Sequence, residues 1–267
     1  MGFFRKKIVE LEASKPRRKL GLAMVALDAA EPLAKKALLA FLKEHWKDLP
    51  RAEKVRQQGD TLSFVLDGAL VTLTLVRVPI PWGDLEGPAL AAWHWPQAIE
   101  RLKAHQAHVL VAVLAPEPDR ITATLLRTRV VAAVAATTPS CGVYWGEAPV
   151  VNAAADFVEE AKRTSRERLP LYLWLAFDLV RNPADGTFTL HTSGMRAFDL
   201  MELELVASGE QPATLVDRAF NFAHYLLDHG PVLKDGDTIG LSDQERLRIQ
   251  LLPSLRDPAR TVYRITL

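Results

Sequence analysis

Glu202 and Glu204 are the pair of side chains whose types and spacing most directly suggest chemistry. They stand two apart in an apolar run, and on a strand that spacing puts both carboxylates on one face. With Asp199 nearby they would form an acidic patch. Two close carboxylates raise each other's pKa and can share acid–base work. Thr192 and the turn-rich stretch Lys234-Asp235-Gly236-Asp237 could complete such a site, which would act on a small polar substrate. The simpler arrangement has Met201, Leu203 and Leu205 in the core and both glutamates in water. That is the arrangement the alternation favours.

Other chemistries find less support. Gly-x-Ser-x-Gly, Gly-x-x-x-x-Gly-Lys and Gly-x-Gly-x-x-Gly do not occur. The single cysteine, Cys141, has no histidine beside it and reads as a small core residue. His105 and His108 are three apart, but the helix before them should end between them, so no metal site is expected. His224 and His229 fall in the last turns of a helix, where a histidine suits the dipole. No cofactor is expected. Four tryptophans, Trp82, Trp93, Trp95 and Trp145, lie in or beside Gly- and Pro-containing loops. Large aromatics so placed either build a binding surface or clamp loops to the body.

These candidates need elements to hold them. Leu20–Leu27 reads as a buried strand, and a helix follows from Glu31, with Leu33, Ala37, Leu38, Phe41 and Leu42 at helical spacing. Asp67-Gly68 between two β-rich runs, 61–66 and 70–78, predicts a hairpin. Gly83–Pro88 reads as loop, Trp95–His105 as helix and Val109–Leu114 as strand. A buried helix is expected over Arg120–Ala136. Then come a strand at Gly142–Trp145, a helix at Ala153–Arg166 capped by Asn152, and strands at Leu171–Val180, Phe188–Thr192 and Phe198–Val206. A helix at Thr214–Asp228 and two last strands, 246–252 and 261–267, finish the chain. Gly230 and Pro231 stop that last helix, and Lys234–Asp237 makes a tight turn after it.

The order strand, helix, strand, strand, helix, strand is the ferredoxin-like one. We therefore expect an α+β protein of two ferredoxin-like halves with antiparallel sheets, packed through the 120–136 helix. The expected division is a basic arm over 1–19, one half over 20–118, and a second half with added strands over 119–267.

The chain has 267 residues, is 49% hydrophobic and 24% charged, and carries a net charge of +1. Such a balance argues against a broad nucleic-acid footprint. The arm, with Arg5, Lys6, Lys7, Lys15, Arg17, Arg18 and Lys19 against Glu10 and Glu12, reads as a solvated terminus. No apolar run is long enough to span a bilayer and no signal peptide is recognisable, so a cytoplasmic location is expected without membrane insertion.

Five stretches together resemble the bacterial domain-of-unknown-function family 4261. They are Val78-Pro79-Ile80-Pro81-Trp82, Gly142-Val143-Tyr144-Trp145-Gly146, Leu169-Pro170-Leu171-Tyr172-Leu173-Trp174, Thr192–Met195 with Met201–Glu204, and Gly230–Gly240. The likeness covers the chain from about Leu20. It brings no catalytic residues. Some relatives are associated with toxin and secretion systems, which implies an interaction protein, an immunity or accessory protein paired with a toxin or secretion component. A small-molecule enzyme using Glu202 and Glu204 is the alternative.

Overall fold

The computed structural model describes residues 18–116, 119–184, 186–207, 211–242 and 244–267. Most of the basic arm lies outside the described residues. The chain forms β1 (Arg18–Leu27), α1 (Lys35–His45), β2 (Glu53–Gln58), β3 (Thr61–Leu66), β4 (Ala69–Val76), α2 (Trp82–Ala91), α3 (Ala98–Ala104) and β5 (Ala107–Pro116). It continues with α4 (Arg120–Ala136), β6 (Ser140–Trp145), β7 (Val150–Ala153), α5 (Ala154–Lys162), α6 (Leu171–Trp174) and β8 (Ala176–Arg181). Last come β9 (Phe188–Ser193), a 3-10 turn (Met195–Phe198), β10 (Leu203–Ala207), α7 (Pro212–His229), β11 (Thr238–Ile239), β12 (Leu247–Pro253) and β13 (Thr261–Thr266).

The fold is α+β, with two sheets among the described residues. The first has seven strands in the order β2-β3-β4-β5-β1-β6-β7, all antiparallel. The second has six, β11-β12-β13-β10-β9-β8, with β10 and β13 parallel and the other pairs antiparallel. A ferredoxin-like half needs a split βαβ, with parallel strands either side of a third. Here the strands joined through helices are not split in that way: β4 and β5, joined through α2 and α3, are antiparallel neighbours, and three strands separate β1 from β2, so the ferredoxin-like order does not form. Nor does the first sheet end near residue 118, since β6 and β7 complete it.

Burial alternates along β3, β4 and β5, as expected of strands covered on one face. The covering helix α4 is buried around most of its circumference, because it packs on β1, β5 and β6 below and between α1 and α5 at its sides. Its first turn is fixed by Asp119, whose Oδ1 accepts from the Ile121 and Thr122 amides. Trp174 Nε1 donates to Thr128 Oγ1 at 2.8 Å, which ties α6 and the second sheet to α4. One apolar cluster runs through both sheets.

Several local expectations shift. Gly83–Pro88 lies inside α2 rather than in a loop, because Leu85 and Ala89 face a second small core with Trp95 and Leu102. Pro88 lies inside this helix and removes the one backbone hydrogen bond its N–H would have made to the Asp84 carbonyl. Leu171–Trp174 is a helical turn, and the strand begins at Ala176. Strand β10 begins at Leu203, after the 3-10 turn. Asn152 sits in β7, and α5 has no side-chain cap. The last helix stops at Gly230 as expected.

Candidate functional site

In the second sheet, α7 packs on β8, β9 and β10. Opposed residues Leu179, Leu190, Leu205, Ile265 and Ile249 form one apolar row across five strands. Phe177, two residues from Leu179 and so on the same face, stacks near Phe220 of α7. The next register position gives a polar row on the other face: Asp178, His191, Glu204, Arg264 and Gln250. Hydrogen-bond acceptors and donors alternate from Asp178 through His191 and Glu204 to Arg264, which favours pairing.

Glu204 is the centre of this row and only 1% exposed. Arg264 donates to its Oε2 through Nε and Nη2, at 3.1 and 2.8 Å. Oε1 accepts from Ser254 Oγ at 2.6 Å and the Leu255 amide at 2.9 Å. His191 Nδ1 lies 3.1 Å from the same oxygen. A carboxylate can only accept, so Nδ1 carries the proton. The expectation that Glu204 faces water is therefore corrected. The chain between β12 and β13 folds over this face, with Ser254 on Glu204 and Arg256 on Asp178 at 2.5 Å. Burial works against the charge of Glu204, but the Ser254 and Arg264 hydrogen bonds outweigh it and hold the carboxyl below its usual range. Burial pushes the His191 pKa down, against the pull of Glu204.

Glu202 is committed elsewhere, and it too does not face open water. Its Oε2 accepts from Thr192 Oγ1 at 2.8 Å and the Met195 amide at 3.2 Å; its Oε1 accepts from the amides of Gly194 and Arg196. One carboxylate thus closes the turn after β9 and the start of the 3-10 turn. Burial pushes its pKa up, against these hydrogen bonds. The turn needs Gly194: its φ is +114°, and a Cβ there would lie 2.6 Å from Ala148 Cβ and 2.7 Å from the Trp174 carbonyl.

The structure does not join either glutamate to Lys234, Asp235 or Asp237. Those residues close their own turn and stitch it to β12. Asp237 Oδ2 accepts from the Lys234 amide, Asp235 Oδ1 accepts from the Leu251 amide, and the Gly236 amide donates to Ile249. Strands β12 and β13 separate this turn from β10.

The tryptophans divide. Trp145 is 1% exposed beneath the Arg127 guanidinium, whose carbon sits 4.0 Å from the ring centre. Trp95 is buried, and Gly142 gives it room. Both are core, not binding surface. Trp82 opens α2, half-buried under Lys103. Trp93 alone of the four stands out, 76% exposed on a short turn pinned by buried Ala92 and Trp95.

Trp93 borders a cleft of about 560 Å3 that sequence reasoning did not foresee. Residues distant in sequence line it: Trp93 and His94 after α2, Val150 and Val151 of β7, Tyr172 of α6, Phe177 and Asp178 of β8, and Arg256. The walls are mostly apolar, and the Asp178–Arg256 pair supplies the charge. A concave apolar site with a few convergent polar groups is the usual form of a binding site. The one sequence signal for it was the Trp93-His94-Trp95 triplet.

Cys141 and the histidines hold structure. His105 Nε2 accepts from the Ile80 amide and its Nδ1 donates to Leu102 O, while His108 Nδ1 donates to Val78 O, so the pair pins the chain over 78–80. Among the described residues no group of histidine, cysteine or carboxylate side chains could hold a metal, and no helix is long and apolar enough to cross a membrane. Cys141 is buried, which pushes its thiol up to about 11. In the native protein it should stay unlabelled by iodoacetamide at pH 8 and react once urea unfolds the chain. Native labelling as fast as that of free cysteine would contradict this placement.

Residues 191–266 match the model of a family described as Domain of unknown function (DUF4261). That stretch belongs to DUF4261. No curated protein and no solved structure matches the chain. The DUF4261 stretch begins at His191 and ends within β13, so it holds His191, Glu202, Glu204, Ser254 and Arg264. It therefore contains the Glu202 turn and every member of the polar row except Asp178. Of the cleft, it supplies Val216 and Arg256, while Trp93, Tyr172 and β8 lie before it.

Proposed function

We propose that this chain is a non-enzymatic interaction protein that receives a protein partner in the cleft beside Trp93. The exposure of Trp93 carries the reading. A tryptophan left 76% in water at the rim of an apolar cleft, with Leu90 at 67% and Tyr172 at 47% nearby in sequence or in the cleft wall, is costly unless something covers it. Tryptophan and tyrosine are also the residues that dominate interface energetics. Glu202 and Glu204 speak for the same conclusion, since each already accepts at least four hydrogen bonds from the fold. In the bacterial setting that the DUF4261 resemblance implies, and the cytoplasmic location expected from the sequence, the partner is a toxin or secretion component, and this chain is its immunity or accessory protein.

A photo-cross-linking amino acid at position 93, in cells of the source organism, tests this. We expect one discrete adduct, identified by mass spectrometry as a protein of that kind. The same group at Leu241, exposed on the turn side of the second sheet, should give none. Equal or absent adducts at the two positions would refute the reading.

A further inference from the structure

The cleft lies between two sheet edges. Strand β7 ends the first sheet, β8 ends the second, and both contribute walls. An edge strand presents a row of backbone N–H and C=O groups that another strand can pair with.

The two edges differ. On β7, His94 Nε2 lies 3.2 Å from the Val151 carbonyl and 3.2 Å from Asn152 Oδ1, so a side chain covers that edge. On β8 the phase can be read from the hairpin. The Asn182 amide donates to Thr187 O at 2.8 Å, which marks 182 and 187 as a hydrogen-bonded pair. The register from Ala176↔Ser193 to Arg181↔Phe188 continues that pairing without a shift. Alternate residues Val180, Asp178 and Ala176 then bond to β9. The backbone groups of Phe177, Leu179 and Arg181 point to the free edge. That edge is six residues long, roughly 20 Å. Among the described residues no strand pairs there. Its charges are Arg181 and Arg256 against Asp178, which Arg256 already neutralises.

We propose that the partner enters as an extended peptide segment that adds a strand to the free edge of β8. This rests on the cleft reading above and names the partner's chemistry. The segment alternates apolar side chains, which enter the cleft, and carries a carboxylate near Arg181. Main-chain hydrogen bonds supply the pairing and the pocket supplies selectivity, as in other strand additions.

The test uses the full chain and a synthetic peptide, acetyl-Val-Thr-Val-Thr-Val-amide, with glutamate added at one end or the other. Hydrogen exchange with and without peptide reads the site. We expect slowed exchange at the amides of Phe177, Leu179 and Arg181 and no change at the β7 amides. N-methylating one alternate set of peptide amides should weaken binding at least ~10-fold, since it removes two or more backbone hydrogen bonds; the other set should matter less. Binding that leaves these three amides unprotected, equal tolerance of both N-methylated peptides, or no binding by either peptide overturns the proposal. The reading of the cleft is judged separately by the adduct at position 93. A partner captured there whose complex leaves β8 exchange unchanged would sink the strand addition and leave the cleft reading standing.

Discussion

Replacing Glu204 by alanine should cost about 3–5 kcal/mol of folding stability, the loss expected when one member of a buried ion pair is removed. The cost falls on what stays behind. Arg264, with a side chain 15% exposed, loses its acceptor, and the Ser254 hydroxyl, the Leu255 amide and His191 Nδ1 lose theirs. In a chain of this size the melting temperature should drop by about 10 °C. Urea denaturation followed by circular dichroism checks it; a loss below about 1 kcal/mol would show that the row does not hold the sheet together. Replacing Glu204 and Arg264 together by apolar residues of similar size should cost less than Glu204→Ala alone, since no charge is stranded.

The same row sets the acid response. The folded pKa of His191 is below 6.5 and that of Glu204 below 4.5. For both groups the unfolded chain takes up its proton first as the pH falls. Their stabilisation is therefore complete above the unfolded values and is lost through the folded ones: below pH 6.5 for His191, below 4.5 for Glu204. Glu202, raised by burial, runs the other way and offsets part of the lower step.

Gly194→Ala should be nearly as damaging, at about 3 kcal/mol or more. Two penalties add: a positive φ that an L side chain adopts poorly, and a Cβ placed against the Trp174 carbonyl and Ala148, neither of which is the far end of a flexible chain. Relief requires moving the 194–196 backbone, and that opens the hydrogen bonds from Gly194, Met195 and Arg196 to Glu202. Thermal unfolding measures the loss. Gly146→Ala is the control, because its added Cβ would meet nothing closer than 3.8 Å and should change little. Equal effects at the two glycines would contradict the role given to the Glu202 turn.

What the sequence reveals is what is local. The hairpin at Asp67-Gly68 and the stripe of Leu215, Ala219, Phe222, Ala223 and Leu226 are legible because neighbours in sequence are neighbours in space. Strand order is not: β10 pairs with β13 some 60 residues away, and no local pattern selects that partner over β12. Alternation placed Leu203 and Leu205 correctly in the core, but it reads the other face as water. Glu204 is buried because Arg264 and Ser254 arrive from the far end of the chain. A signal was present: Glu204 between two leucines and Arg264 between Tyr263 and Ile265 are opposite charges at equivalent places in two strands. Short apolar runs mislead in another way, since Leu171–Trp174 suits a strand until Pro170 and burial of Leu171 and Trp174 wind it into a turn. The cleft was least legible of all, because its walls come from six separate stretches.

The central claim is that the partner binds at the cleft and not at the 230–240 turn. Affinity for the protein captured at position 93 should be compared across the wild type, Trp93→Ala and Lys234→Ala. Both substitutions are at exposed side chains, so melting temperatures should stay within about 2 °C of the wild type. We predict that Trp93→Ala weakens binding by about 30-fold or more, the size of a 2 kcal/mol hot spot, and that Lys234→Ala leaves it unchanged. Unchanged affinity in Trp93→Ala with a loss in Lys234→Ala would contradict the account.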